Sequence, residues 1–378
     1  MDNALLFAFL GGVGILLLLI LFFRINAFIA LLISSICVGL FAGMDFDQII
    51  QNVISGMGNT LGFVATIIGL GAIFGAILEH SGATEKLANF LLEKFGTERS
   101  PTALSISGFL IAIPVFFDVA FIILVPVLYA LQKKTGKSLL FFAIPLLASL
   151  AVTHAFIPPT PGPIAVADII NADLGWIIFY GFIIGLPTTI VAGLIFGKFI
   201  SKKIHVEVPK IQLETKSRIN SSKMPSVGLV VGLIFLPIAL ILMNTVGNSI
   251  HKGNVKEKYF TLQTEYEIDT SQEFDPIAFI NQKAKEERSY SLKVVSFLGH
   301  PIIALILSTL MALYFLGIRY GATKKELQEV SMKALGPAGV IILITGAGGV
   351  FKQMLVETGA GEMLANQFMQ YNVMPVLA

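Results

Sequence analysis

The sequence has one cysteine, Cys37, one tryptophan, Trp176, and only 13% charged residues in 378 positions. A lone thiol inside an apolar run can close no intrachain disulfide and offers no metal-ligand spacing. No His-Glu-x-x-His, no Gly-x-Gly-Asp and no Cys/His cluster occurs, so metalloenzyme and membrane-protease readings have no support and no cofactor is expected. The low charge excludes an ordinary water-facing surface, because soluble chains carry about 25%. The net charge of +2 says nothing for nucleic acid, since the basic residues collect in loops. The N-terminus lacks a basic region and a small-residue cleavage site ahead of its apolar run to Phe23, so that run reads as a retained span.

What is present is apolar sequence: 55% of the chain, with a mean hydropathy of +0.82. Several segments approach the roughly 20 apolar residues that cross a bilayer. The expected class is an all-α polytopic membrane protein with the lipid bilayer as its surroundings. Ala4–Phe23 and Ala27–Gly43 read as an antiparallel pair, Thr60–Leu78 as a glycine-rich span after an amphipathic Met44–Met57, and Glu79–Ser100 as interfacial. Gly175–Gly197, Val227–Val246 and Phe297–Ile318 read as further spans, and Leu335–Leu355 as a second glycine-rich one. Between them lie a basic loop, 198–224, a polar excursion, 248–293, and a basic stretch, 319–333. Gly69-Leu70-Gly71 is not a nucleotide loop, because no strand precedes it and its spacing fails.

Two segments interrupt this pattern. Ile113-Pro114-Val115-Phe116-Phe117-Asp118 and His154-Ala155-Phe156-Ile157-Pro158-Pro159-Thr160-Pro161-Gly162-Pro163 place an acid or a histidine beside prolines within apolar flanks. Irregular backbone at membrane depth persists only where protein or a watery cavity satisfies it. Such a break is the best sequence pointer to a transporter's binding site. Lysine and arginine near span ends put Arg24, 198–223 and 319–333 in the cytoplasm, and 44–57 and 248–293 outside. Parity then requires one broken segment to enter and leave by the same face. Thr102–Leu131 is favoured as the re-entrant hairpin because this keeps Lys133, Lys134 and Lys137 inside; the reverse assignment is topologically legal and puts them outside.

An offset of 277 residues lays Gly69-to-Asn89 on Gly346-to-Asn366, with identities at Gly71/Gly348, Phe74/Phe351, Leu78/Leu355, Gly82/Gly359, Glu85/Glu362 and Asn89/Asn366 among others. The charge rule gives the copies opposite directions, as in the inverted repeats of secondary transporters. Residues 58–197 form the first repeat and 335–378 the start of a second, within one transporter domain over 1–378. The counterparts of Thr102–Ala167 fall just past Ala378. The expectation is a second repeat that is shortened, degenerate or completed by another chain.

Asp118, a carboxylate at membrane depth, is a functional candidate by default, as a protonatable site or as a cap of the helix that follows it. His154 suits a proton-coupled cycle or is a neutral histidine held by carbonyls freed at the break. Prolines at the second break forbid a continuous helix, and the helix restarting near Pro163 would turn N–H groups toward an anion. Gly162, Ile164 and Ala165 could then meet a substrate carboxylate, with Thr153 and Thr160 reaching it. Ser149 is a weaker candidate, since membrane hydroxyls usually bond their own backbone. Thr345, Gly346 and Gly348 line the same cavity or simply pack closely.

The two proline motifs, with Gly299-His300-Pro301 and Thr345–Gly349, resemble the gluconate:proton symporter (gluconate permease) family over most of the chain except 248–293. The resemblance implies proton-driven import of gluconate, glycerate or another small hydroxy-acid carboxylate through a multi-pass protein of a bacterial inner membrane, with a re-entrant hairpin and a broken helix in each half. The sequence departs from that pattern by ending before a second hairpin. A homodimer is the candidate assembly. Two other readings stand beside it: a passive small-anion channel using the same helix ends, and a non-transporting membrane scaffold.

Overall fold

In a computed structural model, which describes residues 2–170, 172–208, 225–265 and 276–363, the chain is helical, with no strand among those residues. Among the described residues, seven helical runs are long and apolar enough to cross a membrane. The chain divides into two compact units: Met1–Gly69 with Asp168–Asn171 and Leu335–Ala378, and Leu70–Ala167 with Ala172–Ala334.

In the first unit, α1 (Asp2–Leu17, extended by a π-helical Leu18–Phe22) packs against α2 (Ala27–Phe41). The turn between them is short, and Arg24 takes a positive φ of 53° there, while Asn26 caps α2 through the Phe28 N–H. The outward faces are apolar, with Phe7, Leu21 and Phe22 about three-quarters exposed, as a lipid-facing surface requires. The helix α3 (Phe46–His80) is continuous over 35 residues. The amphipathic segment and the span expected before and after Gly58-Asn59 are therefore one helix. Glycine and asparagine weaken a helix interior but do not break it as proline does. Gly56 of α3 leaves no room for a side chain because it abuts Gln353 and the backbone at 349–350 of α15 (Lys324–Glu357).

The second unit holds the broken segments. After α4 (Ala83–Phe95) come α5 (Ser100–Ile111), an irregular stretch, and α6 (Phe117–Thr135). The broken helix follows as α7 (Leu140–Phe156) and α8 (Pro161–Ile169), and the chain returns through α9 (Leu174–Thr189), a π-helical Ile190–Ile195 and α10 (Phe196–Lys203). Lys137, after α6, pairs with Glu98, before α5, at 3.6 Å. Beside it, Leu139 N–H donates to the Val206 carbonyl (2.8 Å) and the Ser138 hydroxyl to the Ile204 carbonyl (2.9 Å). The surface ion pair contributes little energy; it shows that α5 and α6 leave one end of the unit and return to it. At 12 residues α5 is about 18 Å long, short of the roughly 30 Å hydrocarbon core. The α7–α8 and α9–α10 legs form a second round trip from that end. At the far end of α9, Trp176 stacks on Tyr180, and at the near end Lys203 lies over Phe199.

Close packing holds these legs together. Gly108 of α5 lies against Leu146 and Ser149 of α7, and Gly181 of α9 against the Phe156 carbonyl. In α11 (Val227–Glu265), Thr245 donates a 2.6 Å hydrogen bond to Asp173, which also caps α9 by accepting from Gly175 and Trp176. Asp173→Ala should lower stability by about 1–3 kcal/mol, from the lost cap and the lost interhelical bond. A thermal or denaturant midpoint in detergent checks this, with Asp173→Asn closer to wild type.

The polar excursion 248–293 is largely helical: α11 continues to Glu265, and α12 (Pro276–Glu286) and α13 (Tyr290–Leu298) precede α14 (Pro301–Ala312). Val255 and Ala284 are buried, so this polar sequence has a small packed face of its own. The basic stretch expected over 319–333 is helical from Lys324, where Thr323 and Glu326 form a reciprocal capping box. Most of the basic loop, 209–224, and the repeat residues beyond 363 lie outside the described residues.

The turn after α3 and the turn after α15 make the same hydrogen bonds at the 277-residue offset. Ser81 N–H donates to Ile77 and Thr358 N–H to Met354; Gly82 N–H to Glu79 and Gly359 N–H to Val356; Lys86 N–H to Gly82 and Met363 N–H to Gly359. The hydroxyls of Ser81 and Thr358 likewise donate to Leu78 and Leu355. Gly82 and Gly359 are both left-handed, at φ of 70° and 75°, which only glycine adopts without strain.

Candidate functional site

Both interruptions lie against one face of α3. Gly75 abuts the Pro114 carbonyl so closely that a Cβ there would collide with it, while Gly71, one turn earlier, faces Pro159 across an ordinary contact of 3.7 Å. Four residues of helix rise about 6 Å, so the two breaks are brought to nearly one level. The Phe116 ring meets the His154 ring edge-on at 6.2 Å. These glycines are packing residues, and what they pack is the irregular backbone.

Asp118 lies in the first turn of α6 and is exposed. It does not cap the helix, which begins at Phe117 with no side-chain cap. Its charge instead complements the helix N-terminus, and it lies within electrostatic reach of His154. His154 Nδ1 is buried with no hydrogen-bond partner among the described residues, so no carbonyl freed at the break meets that nitrogen. Thr153 is fully buried and its hydroxyl is also unpartnered. This separates it from its neighbours, because Ser107 donates to Ala103 and Ser149 to Pro145 in the usual helical manner. Ser149 also shares a 2.7 Å bond with Ser105, tying α7 to α5. Buried polar atoms without partners are costly; Ser34, Thr84, Thr189, Arg288 and Thr309 carry one each, and at 153–154 two fall on adjacent residues beside a helix break.

Around the second break, the Thr160 hydroxyl donates to the Ile157 carbonyl at 2.8 Å and closes the turn. Pro161 and Pro163 carry no N–H, and the Ile164 N–H reaches the Thr160 carbonyl at 3.4 Å. Ile164 is buried, whereas Gly162 is exposed with open space where a Cβ would stand. Of the three backbone positions singled out here, Gly162 therefore offers the freest approach, and Ala165 is half-buried behind it.

Thr345, Gly346 and Gly348 belong to the other unit, where the glycine run divides by face. Gly346 lies against Met57 and Leu61, and Gly349 against Thr60, as packing glycines. At Gly348 a Cβ would meet nothing within 4 Å, and Thr345 donates to Ile341 at 2.8 Å. No group of three or more metal-binding side chains occurs among the described residues.

The GntP permease family model matches residues 4–263 and 276–378. The low-affinity gluconate transporter of Escherichia coli K12 is 36% identical over 355 residues, 94% of this chain and 71% of that protein. The gluconate permease of Bacillus subtilis is 33% identical over 97% of this chain and 76% of its own length. The Gnt-II system L-idonate transporter of E. coli K12 is 31% identical over 97% and 75%.

Proposed function

Because the chain belongs to the GntP permease family, we propose that it imports gluconate or a related sugar acid across a bacterial inner membrane by proton-coupled symport. The observation that carries this reading is the meeting of two helix breaks on one face of α3, beside the unpartnered polar atoms of Thr153 and His154. The names of the relatives, gluconate and L-idonate transporters, support a polyhydroxy carboxylate as cargo. An ionisable side chain at membrane depth faces a bundle interior or water, so Asp118 meets an aqueous opening. In this reading the carboxylate of the substrate approaches the Gly162 N–H and the Thr153 and Thr160 hydroxyls, with Ala165 and Ile164 behind them. Asp118 and His154 exchange the coupled proton. The hairpin re-enters the membrane, the two repeats run in opposite directions, and alternating access moves the breaks between the two faces.

Uptake of labelled gluconate into proteoliposomes under an inward proton gradient tests the reading. Accumulation above equilibrium that a protonophore abolishes is expected. Gradient-independent equilibration would instead mean a passive channel, and no flux would contradict transport altogether.

A further inference from the structure

The leg from α9 to α10 ends in a group of cations that nothing above uses. Gly197 of α10 packs against Ile144 and Pro145 of α7, with Pro145 3.0 Å from where its Cβ would stand. A helix turns about 100° per residue, so Lys198, Phe199, Lys202 and Lys203 fall on the opposite half of α10, away from α7. All four are exposed, and Lys203 lies over the Phe199 ring at 4.4 Å. Among the described residues no carboxylate forms an ion pair with Lys198, Lys202 or Lys203, the nearby Glu207 included.

Below the lysines the leg is apolar. Val191, Ile195 and Phe199 follow about one turn apart and are each more than half exposed, in a run long and apolar enough to cross the membrane. A face turned only to acyl chains would carry no ammonium, and one turned only to water would not carry the stripe. An apolar stripe under a group of ammoniums matches acyl chains under a negative headgroup. The end of the leg is also held in place. The Ser138 hydroxyl donates to the Ile204 carbonyl at 2.9 Å and the Leu139 N–H to the Val206 carbonyl at 2.8 Å. These bonds bring Lys137 alongside the lysine turn, where it lies over Phe141 at 4.9 Å and pairs with the exposed Glu98.

We infer that this face of α10 binds an anionic phospholipid, with the headgroup phosphate on Lys198, Lys202 and Lys203 and an acyl chain along Phe199, Ile195 and Val191. The inference stands apart from the transport reading and needs only that the chain lies in a membrane. The plain alternative is a set of lysines that reach along their stems to water and complement the helix C-terminus, with no lipid preferred.

The test is quenching of tryptophan fluorescence by brominated lipids in the reconstituted full chain. Wild type reports from its one tryptophan, Trp176, at the far end of the same leg. Ile195→Trp in a Trp176→Phe background reports from below the lysines. Vesicles that mix phosphatidylglycerol with phosphatidylcholine, with one or the other brominated, give the relative affinity at each reporter. At Ile195→Trp phosphatidylglycerol should be preferred about fivefold or more, the weight of one lysine near an anionic surface. At Trp176 that preference should be absent. Adding Lys198→Gln, Lys202→Gln and Lys203→Gln together should remove the preference at the Ile195→Trp reporter. The same changes at Lys252, Lys256 and Lys293, exposed lysines of the polar excursion, should leave it. Equal affinities at Ile195→Trp, or the same preference at both reporters, would overturn the inference even if the glutamine variant does not fold. A preference that survives the glutamines at 198, 202 and 203 would overturn it too. Inorganic phosphate should displace no more lipid than chloride of equal ionic strength; greater displacement would make this a site for free phosphate and overturn the lipid assignment.

Discussion

Gly75→Ala should abolish uptake, whereas Gly71→Ala should leave it within about twofold of wild type. The two glycines are one turn apart on the same face of α3, and both changes add one methyl group. At Gly71 the added carbon would lie 3.7 Å from Pro159, an ordinary contact. At Gly75 it would run into the Pro114 carbonyl, which is backbone and cannot turn aside as a flexible side chain can. Overpacking a tight interface costs about 1–3 kcal/mol even where neighbours adjust. Here the adjustment would displace the stretch that carries Phe116 toward His154 and leads into Asp118. Uptake and the thermal midpoint measured together separate the effects: Gly75→Ala should lose both, and Gly71→Ala neither. Normal uptake by Gly75→Ala would show that α3 does not seat the first break as described.

The second large effect is expected at Asp118 and His154. Asp118→Asn and His154→Ala should each reduce gradient-driven accumulation to the level of empty liposomes. Asparagine keeps the size and polarity of Asp118 but cannot exchange a proton at neutral pH. Alanine removes the His154 imidazole, including the buried Nδ1 that has no hydrogen-bond partner among the described residues, and with it the edge-on contact to Phe116. Losing that contact alone costs about 0.5–1.5 kcal/mol, so Phe116→Leu is the control for packing and should transport at a reduced but measurable rate. Near-normal accumulation by both ionisable-group variants would remove them from proton coupling.

Much of this was legible in the sequence because lipid leaves few options. Prolines at 158, 159, 161 and 163 had to end a helix, and the parity of basic loops required a segment that returns to its own side. The Glu98–Lys137 pair and the Ser138–Ile204 bond tie the residues before α5, those after α6 and those after α10 together at one end of their unit. The turn repeated at Gly82 and Gly359 was visible as identities because a left-handed residue tolerates little but glycine. Other features depended on packing. Composition could not tell that Ser149 gives its hydroxyl to the helix while that of Thr153, one turn away, has no hydrogen-bond partner among the described residues. Polar sequence over 46–57 and 248–265 suggested interruptions, yet both continue as helix, because polarity sets which face is wet and not whether backbone bonds form.

Everything proposed for transport depends on the second break opening on a water-filled pocket that receives the substrate. Gly162→Cys in a Cys37→Ser background tests this directly, since Gly162 is exposed and a Cβ there meets no other atom within 4 Å. The expected result is rapid modification by a water-soluble thiol reagent in membranes, slowed by gluconate at concentrations near its KM and not by glucose. A thiol that does not react, or that reacts at the same rate with gluconate present, would contradict the existence of that pocket.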